Sequence, residues 1–383
     1  MSFDFAVGRI VFGAGRFSDA GALVRDFGAR ALVVTGRSPD RFERLAPLLE
    51  AERIAVHRFV VSEEPTIASV REGVAAARGA GCDLVIGLGG GSALDAAKTV
   101  AVLATNHGDA LDYLEIIGAG KPLVHPSLPC VAIPTTAGTG SEVTRNAVLG
   151  SPEHHVKVSL RSPLMLPRLA LVDSELSVTA PPDVTAASGM DAVTQLIEAY
   201  VSRRANPLSD ALCVAGVRHA ARALRQAVHH GDDRDARDAM ALASLFSGLA
   251  LSNSGLGAVH GLAGPLGGML GAPHGALCAV LVPGVVRANS RALAARAPDH
   301  PSRPRLDEMA RVLTGRASAT AEDGAGWLRD AATEFGIRRL GAYGLTATSI
   351  PDVIERGRRA NSMKANPIDL TTEELSAVLD AAM

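Results

Sequence analysis

The stretch that decides the fold is a strand-to-helix junction over residues 84–98, which reads Leu84-Val85-Ile86-Gly87-Leu88-Gly89-Gly90-Gly91-Ser92-Ala93-Leu94-Asp95-Ala96-Ala97-Lys98. Its first five residues are an apolar run of strand length, which predicts a buried strand. Three glycines then let the backbone approach a ligand closely. The helix that follows offers free N–H groups and a positive dipole end, which suit a pyrophosphate. The junction therefore predicts a phosphate-binding turn.

A structural interpretation of this junction stays open beside the functional one. Its glycine spacing matches neither the Gly-x-Gly-x-x-Gly fingerprint nor the P-loop. Ser92 and Asp95 also have the spacing of a capping box, in which both side chains would serve only the helix end.

A second signal follows another predicted strand and reads Pro134-Thr135-Thr136-Ala137-Gly138-Thr139-Gly140-Ser141-Glu142. Small hydroxyl residues and glycines at the carboxyl end of a strand can line a ligand crevice. The same composition is also typical of a turn whose side chains cap it locally. Both interpretations remain open from the residues alone.

Strand-like and helix-like runs alternate in the first half of the chain, which predicts βαβ units and a mainly parallel sheet. After residue 180 the strand signals fade. We therefore predict an α/β domain over residues 1–176, an all-helical domain over 177–383, and an active site in the cleft between them. The predicted strands are 31–35, 56–61, 84–88, 130–133 and 169–172, and the predicted helices are 39–51, 66–79, 93–104, 184–201, 211–229, 237–251, 306–312 and 326–335.

Composition excludes several classes of function. The 383 residues carry a net charge of −2 and only 3% aromatic residues, so neither a phosphate backbone nor stacked bases would be bound, and no nucleic acid partner is expected. The four cysteines lack a Cys-x-x-Cys pair, so we expect neither a disulfide scaffold nor a cysteine zinc site. The N-terminus has no signal-peptide pattern, and a cytoplasmic location is expected.

One long stretch tests a membrane interpretation. Residues 239–286 contain no Asp, Glu, Lys or Arg. The stretch is interrupted by Ser252-Asn253-Ser254-Gly255, Pro265 and Pro273, so its unbroken apolar pieces are shorter than the roughly 20 residues that a spanning helix needs. We predict buried helices here and no membrane contact.

A third signal is typical of a metal site. Asp191 and Gln195 lie at positions i and i+4 of a predicted helix, hence on one face. His260 and His274 are the two histidines of the charge-free stretch. One carboxylate and two imidazoles would bind a divalent ion and leave a position for substrate. The alternative is two hydrogen-bonded core histidines and an aspartate that serves the helix start.

The three signals, in this order, resemble the iron-containing (group III) alcohol dehydrogenase family, which is related to glycerol dehydrogenases and dehydroquinate synthases. The resemblance covers essentially the whole chain. It implies a Rossmann-like N-terminal domain, a helical C-terminal domain, NAD(P), a divalent metal such as Fe2+ or Zn2+, and a homo-oligomer, often a dimer. The matching motifs are Gly13-Ala14-Gly15, the boxes 89–98 and 134–142, Val172-Asp173, Gly189-Met190-Asp191, Val259-His260-Gly261, Pro273-His274-Gly275 and Asn366-Pro367.

The resemblance also implies a set of site residues. The cofactor pyrophosphate would lie on Gly89, Gly90, Gly91 and Ser92. The rest of the cofactor site would be lined by Asp95, Thr135, Thr136, Thr139, Asn146 and Lys157. The metal ligands would be Asp191, His260 and His274, together with Gln195 at the fourth position.

Two positions depart from the family pattern. The family usually has His where this chain has Gln195, and it often has a second His where this chain has Gly264. Gln195 could ligate through its amide oxygen, which is neutral like imidazole but weaker and harder. The proton path that the family assigns to the second histidine has no equivalent residue here.

The choice of nicotinamide cofactor is predicted from the end of the second strand, which reads Thr35-Gly36-Arg37-Ser38. An acid at such a position holds the ribose 2′-OH and repels a 2′-phosphate, and family members restricted to NAD often have Asp in place of Gly36. Arg37 and Ser38 could accept a 2′-phosphate, which favours NADP. The alternative is that Arg37 is a solvated turn residue.

These features predict reversible hydride transfer between a nicotinamide and a small aldehyde or ketone, with a metal as Lewis acid. Three alternatives remain open. One is a specialised reductase of the same family that acts on maleylacetate or on a carboxylated, phosphonated or sulfonated aldehyde, for which Arg145, Arg161 and Lys364 are candidate contacts. Another is a lyase similar to dehydroquinate synthase. The third is a metal-free binding protein, which Gln195 and Gly264 motivate.

Overall fold

The computed structural model describes residues 2–114, 117–154 and 156–383. They form two compact units. The first, the α/β unit, comprises Val7–Thr136 and Gly140–Val178. The second, the helical unit, comprises residues 2–6, Ala137–Thr139 and Thr179–Met383. Two short segments from the first half of the chain thus belong to the helical unit.

The α/β unit is built on the parallel sheet that the alternation of patterns predicted. Its six strands are ordered β1-β8-β5-β4-β2-β3, and every neighbouring pair is parallel. Strands β4, β5 and β8 are buried along their whole length, which explains their continuous apolar sequences. The six strands are β1 (Arg9–Phe12), β2 (Arg30–Thr35), β3 (Ala55–Val60), β4 (Leu84–Gly89), β5 (Cys130–Pro134) and β8 (Leu169–Val172).

Helices cover this sheet through two separate apolar clusters. One cluster contains Val33, Ile86 and Val131, and the other contains Leu32, Val85 and Val100. Because successive side chains of a strand point to opposite faces, the two clusters lie on the two faces of the sheet. The helices of this unit are α1 (Ala20–Val24), α2 (Asp40–Ala51), α3 (Ile67–Gly79), α4 (Gly91–Thr105) and α5 (Ala110–Tyr113).

Three strands of this unit were not predicted. Strand β1 has only four residues and lies at the edge of the sheet, so its sequence carries little of the pattern of a buried strand. Strands β6 (Asn146–Ser151) and β7 (Val156–Arg161) form a separate antiparallel hairpin. Its strands alternate between more buried and more exposed positions, so they lack the continuous apolar run of a buried strand. They also interrupt the alternation of strands and helices from which the other strands were predicted.

The helical unit contains the five helices that were predicted with bounds, two further helices from the charge-free stretch that was predicted to form buried helices, and two more. All of them pack around one apolar cluster. The five helices that were predicted with bounds each begin two to five residues earlier than predicted. Most of their first turns contain exposed polar residues, such as Asp183, Asp235 and Arg303, which an apolar periodicity does not include. The nine helices among the described residues of this unit are α6 (Pro182–Val201), α7 (Pro207–His229), α8 (Arg234–Ser254), α9 (Ala258–Leu270), α10 (His274–Arg296), α11 (Ser302–Thr314), α12 (Ala321–Glu334), α13 (Ile350–Arg359) and α14 (Thr372–Ala382).

The charge-free stretch 239–286 forms the end of α8, the whole of α9 and the start of α10. A bend of 100° separates α8 from α9. Among the described residues, α10 alone is by itself long and apolar enough to cross a membrane, and 67% of its apolar window is buried inside the protein. Its apolar residues therefore serve the core of the helical unit, as predicted for this stretch.

A buried lysine ties the two sequence boxes of the α/β unit together. Lys98 is fully buried on α4, and its Nζ lies 3.0 Å from Asp95 Oδ1 and donates to Thr144 Oγ1 at 2.9 Å and to the Asn146 carbonyl. The Asp95 carboxylate also accepts from Ser141 Oγ at 2.5 Å and from the Val148 backbone N–H at 2.8 Å. Charges buried in this way persist only when they are paired and hydrogen-bonded.

We expect Lys98→Met to lower the free energy of unfolding by about 3–5 kcal/mol, because it leaves the Asp95 carboxylate without its cation in a buried place. Urea denaturation of the purified variant measures the change. The matched control is Arg71→Met, which breaks the bidentate but largely exposed pair with Asp109 and should cost at most about 1 kcal/mol. Equal losses in both variants would contradict the role given to Lys98.

Candidate metal centre and cofactor edge

Several of the predicted cofactor residues meet at the carboxyl edge of the sheet. Strands β2, β4 and β5 are parallel neighbours, so their carboxyl ends lie side by side. Gly36 follows β2, Gly89 ends β4, and Thr135 follows β5. A Cβ on Gly90 would lie 3.4 Å from Thr136 Oγ1, which shows how closely the two boxes approach. The edge therefore combines glycine backbone with threonine hydroxyls.

The first turn of α4 is free of side-chain caps. The helix begins at Gly91 with Gly90 as its N-cap, and no side chain hydrogen-bonds the cap position. The capping-box interpretation of Ser92 and Asp95 is therefore wrong, because the Asp95 carboxylate is engaged with Lys98 and Ser141 instead. An uncapped helix N-terminus of this length presents its first backbone N–H groups to an anion.

Other predicted cofactor residues have partners inside the protein. Asn146 accepts from Lys98 through its backbone carbonyl, and Lys157 on β7 pairs with Glu64, with 2.5 Å between Nζ and Oε2. Thr139 belongs to the short segment that joins the helical unit. These residues are thus held by structural contacts that their sequence motifs did not reveal.

A cationic residue that was not predicted, Arg58 on β3, contacts the turn after β2. Arg37 is exposed and pairs with Glu63 at 3.1 Å between Nη2 and Oε1. Arg58 on β3 donates from Nε to Thr35 Oγ1 at 3.2 Å and from Nη2 to the Ser38 carbonyl at 3.5 Å. The pairing of β2 with β3 brings Arg58 here, so no sequence motif could have identified it.

The predicted metal residues converge in the helical unit. Asp191 lies on α6, His260 on α9 and His274 at the start of α10. Asp191 Oδ1 is 3.2 Å from His260 Nε2 and 3.9 Å from His274 Nε2. Cys278 on α10 joins them, and the four ligand atoms all lie within 4.8 Å of one another. Sequence spacing between cysteines could not reveal this residue, because its neighbours in the cluster are not cysteines.

Close helix packing makes this convergence possible. A Cβ on Gly275 would lie 2.3 Å from the Ala187 carbonyl oxygen on α6, so only glycine lets α10 approach α6 here. Asn366 Oδ1 accepts from the Ala258 backbone N–H at 3.1 Å and so supports the start of α9. The glycine and the asparagine thus help to position His274 and His260.

Glu198 holds the His260 ring and was missed by the sequence analysis. Its Oε2 lies 2.6 Å from His260 Nδ1, and its Oε1 accepts from the Val259 backbone N–H at 2.7 Å. This bond directs Nε2 of His260 toward Asp191, in the carboxylate–histidine arrangement typical of metal sites. Glu198 follows Asp191 by seven residues on α6 and therefore shares its helix face, which is the signal that could have found it.

Gln195 lies beside Asp191 but uses both ends of its amide. Its Nε2 donates to Asp191 Oδ2 at 3.0 Å, and its Oε1 accepts from Ser247 Oγ at 2.9 Å. The position of the second family histidine has no such contacts, because a Cβ on Gly264 would meet no atom within 4 Å.

The electrostatics of this cluster demand positive charge. Burial opposes ionisation of Asp191, but the His260 hydrogen bond and the charge of His274 outweigh it and lower the Asp191 pKa. The charge of Cys278 is the main reason why the pKa of His274 rises to about 9. Burial lowers the pKa of His260, but Cys278, Asp191 and Glu198 together raise it well above the ordinary value.

The donor geometry fits a divalent cation. Metal bonds of about 2.1 Å at the tetrahedral angle separate two oxygen or nitrogen ligands by about 3.4 Å. The distances from Asp191 Oδ1 to the two imidazole nitrogens, 3.2 and 3.9 Å, bracket this value. A bound cation would also balance the negative charge of the cluster, which protonated imidazoles balance when no cation is bound. The residues present therefore fit the metal that the family resemblance implies.

Comparison with known proteins agrees with the fold. Residues 8–174 match the model of the iron-containing alcohol dehydrogenase family, and residues 185–383 match the model of the C-terminal domain of the Fe-containing alcohol dehydrogenase family. The chain is 36% identical over 379 residues to alcohol dehydrogenase 4 of Schizosaccharomyces pombe, a match that covers 97% of this chain and 87% of that protein. It is 37% identical over 324 residues to 1,3-propanediol dehydrogenase of Klebsiella pneumoniae, with 84% and 81% covered.

Solved structures are similar over the whole chain. The crystal structure of a 1,3-propanediol oxidoreductase superposes with a TM-score of 0.90 at 35% identity and covers 100% of both chains. The sulfoacetaldehyde reductase of Bifidobacterium kashiwanohense, solved with NAD+, superposes with a TM-score of 0.87 at 28% identity and covers 100% of this chain and 99% of its own. The fold and the relatives define an oxidoreductase that acts on CH–OH groups. The chain belongs to the iron-containing alcohol dehydrogenase family.

We expect Gly275→Ala to lower metal affinity at least about 10-fold, because the new methyl group would push α10 and its His274 away from α6. Metal retained after dialysis, measured per protein chain by mass spectrometry, gives the change. Gly264→Ala is the matched control, since its methyl group meets open space inside α9. Normal metal content in the Gly275 variant would show that the approach of the two helices does not set the site.

Proposed function

We propose that this protein catalyses reversible NAD(P)-linked oxidation of a small alcohol to its aldehyde or ketone, with a divalent metal held by Asp191, His260 and His274. The observation that carries the proposal is the meeting of one carboxylate and two imidazoles from three helices at a spacing suited to one cation. The names of the similar dehydrogenases support the reaction type.

The residues of the helical unit would hold and orient the metal. When bound, the divalent metal supplies Lewis acidity toward the substrate oxygen and the nicotinamide supplies or accepts the hydride. Asp191 contributes the negative charge and is itself oriented by the Gln195 amide. Glu198 keeps His260 in the tautomer whose Nε2 is free to ligate. His274 is 40% exposed and thus lies on the side of the cluster that substrate can reach.

The carboxyl edge of the sheet would bind the cofactor. The pyrophosphate would lie on the uncapped first turn of α4, at Gly89, Gly90, Gly91 and Ser92. Thr135 and Thr136 offer hydroxyl groups at the same edge. Asp95 and Asn146 would act through their contacts with Ser141 and Lys98, which hold the two boxes in place. Lys157 would act from β7, where it pairs with Glu64. Thr139 completes the set that the family resemblance implies.

We also propose that NADP is preferred over NAD. Gly36 places no carboxylate against the ribose, and the Arg37 and Arg58 guanidinium groups lie at the end of β2. Two guanidinium groups with a serine are the donor set that a 2′-phosphate requires. The partner Glu63 is exposed, so its pairing with Arg37 is a weak competitor.

A cytoplasmic location and a homodimer complete the proposal. All four cysteines are free thiols, which suits a reducing compartment. The dimer follows from the family resemblance alone.

We expect Asp191→Ala to lose bound metal and at least about 100-fold in kcat/KM, since Lewis-acid stabilisation contributes several kcal/mol. Oxidation of NADH and NADPH against a panel of neutral and anionic aldehydes, with metal content measured in parallel, provides the test. Asp352→Ala, which removes an exposed surface carboxylate, is the control. Unchanged activity of the Asp191 variant would contradict the site, and product formed without net nicotinamide turnover would indicate a lyase.

We expect Arg37→Ala to reduce kcat/KM for NADP about 10-fold and to leave that for NAD nearly unchanged, because one charge-assisted hydrogen bond is lost. Arg25→Ala removes a comparably exposed arginine and should change neither value. A wild-type enzyme that uses NAD far better than NADP would refute the preference directly.

A further inference from the structure

We infer that Cys278 is the fourth protein ligand of the metal in this chain and that Gln195 is a positioning residue for Asp191. The inference rests on the proposed function, because it concerns the same metal. A thiolate on α10 would thus replace the histidine ligand that the family usually has on α6.

The distances from the Cys278 sulfur to the two imidazoles fit ligation of one cation. Cys278 Sγ lies 3.6 Å from His274 Nε2 and 3.8 Å from His260 Nε2. Two tetrahedral ligands of which one is a thiolate are separated by about 3.6 Å, given metal bonds of about 2.3 Å to sulfur and 2.1 Å to nitrogen. The two distances therefore match those expected if the sulfur and the two imidazoles were ligands of one cation.

The orientation of the Gln195 amide does not suit ligation. Asp191 Oδ2 is an acceptor only, so the amide must present its NH2 group to the carboxylate. The amide oxygen then faces Ser247, whose hydroxyl donates to it. Ligation by this oxygen would require the amide to turn over and to direct its oxygen at a carboxylate.

The spacing of residues on α10 allows Cys278 to reach the same cluster as His274. His274 and Cys278 are separated by four residues on α10 and lie on one face, in the same relation as Asp191 and Gln195 on α6. Each helix thus directs a pair of side chains at the cluster. A ligand lost from one pair can be supplied by the other without any change in the backbone.

The surroundings of Cys278 differ from those of the other buried cysteines. Cys130 lies on a sheet strand, and Cys213 lies in the apolar core of the helical unit, to which Cys278 also belongs. Neither belongs to a group of candidate ligands among the described residues. A buried cysteine that only fills space is typically surrounded by apolar atoms, whereas Cys278 faces two imidazole nitrogens.

A thiolate changes the charge of the site. Asp191 and Cys278 together would neutralise a divalent cation, whereas Asp191 with a neutral amide leaves one positive charge over. The softer sulfur donor also suits zinc better than the harder amide oxygen would. Four protein ligands leave substrate to bind by expansion to five-coordination, which catalytic zinc sites allow.

The test uses Co2+ bound to the metal-stripped full-length protein, with absorption spectra and dissociation constants as readouts that need no turnover. Wild type should show a strong near-ultraviolet thiolate-to-cobalt band. Cys278→Ala should lose the band and bind Co2+ more than about 100-fold more weakly, beyond the 10–100-fold that an outer partner costs. Gln195→Ala should keep the band and fall within that 10–100-fold range, and Cys82→Ser, which removes a thiol of the α/β unit, should match wild type.

A double variant protects the test against misfolding. Cys278→Ala with Gln195→His restores a site of one carboxylate and three imidazoles, so it should regain Co2+ affinity without the thiolate band. A wild-type Co2+ complex without the band, or a Cys278→Ala variant that binds as tightly as wild type, would overturn the inference and leave the proposed function intact. Failure of wild type to bind any divalent ion would overturn both.

Discussion

The helical unit depends on two carboxylates buried on one face of α6. Asp191 is 2% exposed and Glu198 4%, and within the part of the chain that the structure describes no lysine or arginine is among their hydrogen-bond partners. Buried carboxylates without a cation are costly, so the surroundings must supply positive charge or protons. His260 bridges the two, and His274 lies beside Asp191. The packing of α6, α9 and α10 places donors around the point where a cation satisfies this requirement.

The α/β unit buries a positive charge instead of a negative one. Lys98 is fully buried there, and Asp95 with hydroxyl and carbonyl oxygens surrounds its ammonium group. This network holds the first turn of α4 against the loop that follows β5. The network would thus support the glycine backbone at the carboxyl edge of the sheet, where the cofactor is proposed to bind, without its residues having to touch the cofactor.

Patterns with a strong local cause were read correctly from the sequence. The buried strands β4 and β5 were predicted because strands covered on both faces are apolar throughout. The edge strand β1 and the hairpin β6–β7 were not, because half of their residues face water or a different layer. Of the cluster, the aspartate and the two histidines were expected from the resemblance to the family, since their spacing alone left a purely structural interpretation open. Glu198 and Cys278 were missed, because neither forms a pattern with its neighbours in the chain.

From the sequence we could derive the buried central strands, the glycine turn before α4 and the residue types able to bind a divalent ion, because these depend on periodicity and side-chain chemistry over a few residues. Only the tertiary structure decided which of these side chains meet. His260 and Cys278 are 69 and 87 positions away from Asp191, and their contact depends on the approach of α10 to α6 that Gly275 permits. Distances between helices follow from packing over the whole core, and no short stretch of sequence encodes them.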